Sequence, residues 1–100
     1  MNNTYVRDPI RTGSLYQIVN ITEAPARDDE WFTEHITVMG SMVMTQVNDK
    51  HLVHWMEPAD WKGQGATGPD KRIRTGTIAL QAHDPGSTVY YRNIRIKLLP

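Results

Sequence analysis

The sequence predicts an antiparallel all-β chain, and three observations predict it. Strand-forming residues come in short runs with period-two alternation. Glycine, proline, asparagine and aspartate punctuate those runs where turns need them. No apolar stripe at three-and-four spacing marks a helix. A β-sandwich or jelly roll is the architecture such runs suit. At 100 residues the chain forms one domain with one small core, and a domain of this size buries only about two-thirds of its unfolded surface.

Residues 1–13 read as an irregular lead-in punctuated by Pro9 and Gly13, and residues 14–100 as a single β domain. Leu15–Ile21 is rich in strand formers and is expected to be the first strand. The polar run after Thr22 ends in three consecutive acids, Asp28, Asp29 and Glu30, and reads as a solvated loop. From Trp31 to Val47 the pattern alternates. Phe32, Glu34, Ile36 and Val38 fall on one side and Thr33, His35, Thr37 and Met39 on the other, with Gly40-Ser41 breaking the run into a hairpin. A turn at Asn48-Asp49-Lys50 leads into a third strand, His51–Met56, because Asn and Asp accept left-handed backbone. Pro58 to Gly76 holds four of the seven glycines and reads as a long loop, a candidate rim for a binding face. Gly76–Gln81 is expected to be a strand, Ala82–Ser87 a turn, and Thr88–Leu98 the last strand.

Charge and composition remove several functions. Eleven Lys+Arg balance eleven Asp+Glu, and they are scattered, so nothing in the chain matches the basic stripe that nucleic acid or an anionic membrane would need. Neither is an expected partner. Without cysteine the chain has no disulfide or thiolate metal site, and its redox compartment is open. Met1 to Pro9 is polar and charged, unlike a secretion signal.

The stretch Gly76-Thr77-Ile78-Ala79-Leu80-Gln81-Ala82-His83-Asp84-Pro85-Gly86-Ser87, followed by Val89-Tyr90-Tyr91-Arg92-Asn93-Ile94-Arg95-Ile96, resembles the C-terminal signature of 3-keto-disaccharide hydrolase domains. Upstream, Thr12-Gly13-Ser14-Leu15-Tyr16, Glu30-Trp31, and Val47-Asn48 before Asp49 are similar to further landmarks of that family, in its order. Asp49 departs from its usual turn glycine and Phe32 from the Asn that commonly follows the Trp. The resemblance implies a jelly roll of the concanavalin-like lectin/glucanase type. Family domains are longer, so it also implies a C-terminal half-domain, completed either by self-association into a dimer or by an N-terminal half. A carbohydrate partner and a periplasmic or secreted location follow from the same resemblance, as does hydrolysis of glycosides whose sugar carries a ketone at C3.

That ketone acidifies the C2 hydrogen, so a base can remove it and expel the C1 oxygen, after which water adds back. No carboxylate pair is obligatory, and no cofactor is called for. His83 is the candidate base, since imidazole titrates near neutrality, and Gln81 shares its side of the expected strand. A structural role in fixing the Pro85-Gly86 turn competes for both. Arg92 is a candidate donor to a sugar oxygen, although strand parity groups it with Ile94 and Ile96, which favours a structural ion pair. Trp55, Glu57 and Trp61 mix aromatic faces with a carboxylate, as sugar recognition does, and core anchoring is the rival role for the tryptophans. Asp60 could join Glu57 as an acid/base pair. His51 and His54 are three apart, which on a regular strand sends them to opposite faces, so no metal site is expected. Two other readings stand beside the enzyme: a non-catalytic carbohydrate-binding or assembly module, and a fragment of a longer enzyme that is inactive in isolation.

Overall fold

The computed structural model describes residues 2–5, 7–63 and 71–100. Its regular structure is a three-stranded antiparallel meander of β1 (Glu34–Met39), β2 (Met42–Val47) and β3 (Lys50–Met56), in the spatial order β1-β2-β3. Among the described residues there is no helix. The chain is therefore all-β, as the alternation and turn residues require.

Both hairpins follow from local chemistry. Gly40 supplies a φ of 59° between Met39 and its partner Met42. Asn48 and Asp49 take φ values of 47° and 65°, the pair of left-handed residues that a tight two-residue hairpin turn demands. Asn48 also accepts the Thr33 amide on its side-chain oxygen at 3.0 Å and donates its own amide to the Thr33 carbonyl at 2.9 Å, which fixes where β1 begins.

One face of the sheet carries Ile36, Val38, Val43, Thr45, Val47, Val53 and Trp55, which are cross-strand partners. Val43, Val47 and Val53 form the core, with Val47 fully buried. The cover over β2 and β3 comes from the lead-in and the segment after it. Thr45 Oγ1 donates to the Gly13 carbonyl at 2.6 Å, and buried Ser14 donates to the Arg11 carbonyl at 2.7 Å while accepting the Ile21 amide at 2.8 Å. Gly13 is needed there. Its φ is +88°, and a Cβ would collide with the Leu52 side chain and come within 3.3 Å of Val47. Among the described residues nothing gives β1 the same cover, and Ile36 and Val38 are exposed.

Three expectations are corrected. Leu15–Ile21 is not a strand. Gln17, at φ 63°, reverses the chain, so that Leu15 bridges Val19 with reciprocal hydrogen bonds of 3.0 and 2.8 Å, and Asn20 caps the turn by accepting the Gln17 amide at 3.0 Å. Gly76–Gln81 and Thr88–Leu98 are not strands either. Strand-forming side chains make a ladder only beside a partner, and none pairs with them among the described residues, which leaves Ile78 70%, Ile96 66% and Leu98 89% exposed. The turn between them does form, with Ser87 donating to the Asp84 carbonyl at 3.0 Å and Gly86 to its carboxylate at 2.9 Å. The expected 58–76 loop carries no regular element in its described parts, and residues 64–70 lie outside the described residues.

The third correction concerns the histidines. Thr45 pairs with Val53 but Gln46 pairs with His51, so Leu52 is an extra residue, a β-bulge. Leu52 joins Val53 on the core face, where it lies beside Gly13 with Val47. The bulge resets parity, and His51 and His54 share the opposite face.

Candidate functional site

Two concave regions stand out among the described residues. The smaller has a volume of about 300 Å³ and lies between the core face of the sheet and the 15–18 turn, with Tyr16, Ile18, Val43, Trp55, Lys71 and Ile73 on its wall. The larger is a broad cleft of 3210 Å³ bounded by the acidic loop, β1 and the C-terminal segment.

His83, Gln81 and Arg92 all line the broad cleft. His83 is exposed on the turn whose other members are held by Asp84. Gln81 offers its backbone carbonyl to the Tyr91 hydroxyl at 2.9 Å, which ties the two arms of the C-terminal segment together and leaves its amide side chain to the cleft. Arg92 has an aromatic partner: its guanidinium sits 3.9 Å from the centroid of the Trp31 ring. No carboxylate pairs with it among the described residues, so the expected structural ion pair gives way to a cation–π contact.

Trp55, Glu57 and Trp61 lie elsewhere. The two indoles meet edge to face with centroids 5.2 Å apart. Trp61 Nε1 donates to the Lys71 carbonyl at 2.8 Å, and Glu57 accepts the Ile73 amide at 2.7 Å with Arg72 3.7 Å from its other oxygen. All three thus brace the 71–73 segment onto β3, and Trp55 contributes to the small cavity. Beside that cavity, Lys71 donates to the Gln17 side chain and stands 5.5 Å from the Tyr16 ring centroid. Asp60 makes no pair with Glu57 here.

Sequence reasoning missed Glu34. It lines the broad cleft at the start of β1, and desolvation by the surrounding protein pushes its carboxyl above the ordinary range. The side chain keeps water contact, which limits that effect. The missed signal was its place in the alternation: Glu34 shares parity with Ile36 and Val38, an acid on an apolar face. His35, on the opposite parity, lines the same cleft. Imidazole and carboxyl groups on one cleft can move protons at a sugar, and Gln81 and Arg92 can donate to its oxygens. Among the described residues no group of three His, Asp or Glu side chains is placed to hold a metal ion.

A family model described as the 3-keto-alpha-glucoside-1,2-lyase-like domain matches residues 1–97. Neither a curated protein nor a solved structure matches the chain.

Proposed function

Because the chain belongs to the 3-keto-alpha-glucoside-1,2-lyase-like domain family, we propose that it acts on glycosides oxidised at C3, by elimination across C1–C2 followed by hydration. The observation that carries this reading is the family match over nearly the whole chain, and the cleft supplies suitable groups. His83 takes the C2 proton. The C1–O bond breaks, the leaving alkoxide takes a proton, and a C1=C2 enone remains; water then returns OH to C1 and H to C2. Gln81 and Arg92 donate to the enolate oxygen that forms at C3. Glu34, whose pKa is raised by desolvation, suits the proton donor to the leaving group. Trp55, Glu57 and Trp61 lie outside this cleft, bracing the 71–73 segment onto β3, and take no part in this step.

The test runs a 3-keto glycoside with the protein in deuterated water. Elimination and hydration place deuterium at C2 of the released sugar beyond the no-protein control. His83→Ala abolishes that label and the turnover while the melting temperature stays within a few degrees, since His83 is a surface residue. Release without excess C2 label means direct hydrolysis and sinks the mechanism; unchanged turnover in the variant removes His83 from it. The rival, a non-catalytic carbohydrate-binding module, is what binding without release would indicate.

We further propose that the chain is a half-domain of a concanavalin-like jelly roll, and that a second copy completes it as a dimer. The outer edges of β1 and β3 have no partner strand among the described residues. Ile36, Val38, Ile78, Ile96 and Leu98 are exposed, and apolar surface of that kind is relieved when another copy covers it. The Asp28-Asp29-Glu30 loop and the C-terminal segment with Arg92, Arg95 and Lys97 offer opposite charges to such a copy. A two-fold axis would set the basic segment of one copy along the acidic 28–30 loop of the other.

A further inference from the structure

The face of the sheet opposite the core is made of methionine and histidine. Across the three strands the partners run Met39–Met42–Met56, then Thr37–Met44–His54, then His35–Gln46–His51. Of the five methionines in the chain, the four that follow Met1 are all here, with three of the four histidines. An open sheet face ordinarily carries polar side chains that water solvates. Met39 and Met56 are instead 54% and 57% exposed. Thioethers on such a face gain nothing from water, and what they offer is soft, polarisable sulfur.

We propose that Met42, Met44, His54 and Met56 form a site for a soft monovalent cation, Cu(I). The four occupy the corners of a rectangle. Met42 faces Met56 and Met44 faces His54 across the β2–β3 pair, where Cβ atoms lie about 5 Å apart, and each pair is two residues from the other, about 6.7 Å along the strand. A cation over the centre is therefore roughly 4 Å in projection from every Cβ, within reach of a thioether on its flexible arm and of an imidazole nitrogen. Thioether donors with one imidazole select Cu(I) over Zn(II), Mg(II) or Ca(II), which prefer nitrogen, thiolate or oxygen. The bulge at Leu52 belongs to the site: it keeps His51 on the same face, one row beyond His54, as an outlying imidazole through which the ion can arrive. None of the four ligands lines either cavity, so the site is separate from the glycoside reading.

The experiment titrates the full chain with Cu(I) under anaerobic conditions against a chromophoric Cu(I) chelator, with Ag(I) as a redox-inert substitute and the methionine methyl resonances as readout. The expected result is one ion per chain, with shifts of the Met42, Met44 and Met56 methyls and no competition from Zn(II). The triple variant Met42→Leu, Met44→Leu, Met56→Leu keeps volume and fold and weakens binding by more than about 100-fold, while His54→Asn weakens it by roughly tenfold. Failure to compete with the chelator overturns the proposal, as does undiminished binding in the triple variant or shifts confined to other residues. A variant that loses the circular dichroism of the native chain is replaced by Met44→Leu alone, whose loss of the Met44 methyl shift and of affinity reads the same question.

Discussion

Gly13→Ala tests whether the lead-in is built into the core. The added Cβ meets two difficulties at once. At φ +88° an L-residue is strained, a cost of about 1–2 kcal/mol. The Cβ also collides with the Leu52 side chain and crowds Val47 at 3.3 Å, and overpacking of that kind costs about 1–3 kcal/mol. Together the loss is about 2–5 kcal/mol, a large fraction of the 5–15 kcal/mol that holds a small domain. Urea unfolding of Gly13→Ala, Leu52→Ala and the double variant separates the two parts. Leu52→Ala alone costs about 2 kcal/mol at this half-buried position. If the collision is real, removing Leu52 relieves it, and the double variant is more stable than the two singles predict by about 1–3 kcal/mol. Strict additivity would leave only backbone strain and refute the packing of Gly13 on the bulge. A Gly13→Ala protein as stable as the parent would refute both parts, and with them the lead-in as cover for β2 and β3.

Two further outcomes follow from the cleft. Glu34 has its pKa raised in the folded chain, so the folded state holds that proton more tightly; its contribution to stability is complete below the ordinary carboxylate range and is lost as pH rises through the raised folded value. Glu34→Gln therefore flattens the fall in stability across that window, measured by thermal melts at several pH values, and an unchanged profile would mean the carboxyl is not desolvated. Light scattering at micromolar concentration should find dimers that loosen in high salt, because the acidic 28–30 loop and the basic C-terminal segment carry opposite charges; a cooperatively melting monomer would show that the chain needs no second copy.

The central meander was legible because everything that builds it is local. The alternation up to Met39, Gly40 and the Asn48-Asp49 pair each act within a few residues, and the structure follows them, with β1 starting late at Glu34 rather than at Trp31 and β3 starting one position early at Lys50. Leu15–Ile21 misled because strand propensity describes what a half-buried pleat tolerates rather than what the backbone does. There the Asn20 side chain captures the Gln17 amide and stabilises a reversal. The C-terminal runs have strong propensity too, but a strand is a property of a pair, and no residue in Thr88–Leu98 can report that its neighbour is missing.

The same division between local and non-local chemistry explains what could be read of the sites. His83 and Gln81 stand in a contiguous motif, and their arrival on one cleft with Arg92 depends on the short Asp84–Ser87 turn, which the sequence encodes. Trp31 over Arg92 joins residues sixty-one positions apart and left no trace in either neighbourhood. The methionine–histidine face was hidden by a subtler cause. Counting by two from His51 separates it from His54, and only the bulge opposite Thr45/Gln46 cancels that count. One unpaired residue decides which side chains meet, because every position beyond it changes face. Leu52 turns inward when the core beside Gly13 has room for it and nothing larger stands there. Filling that room with the Gly13→Ala methyl group therefore does more than destabilise: it presses on the residue that sets the parity of His51 against His54. The composition of the outer face is thus written in the packing of the inner one.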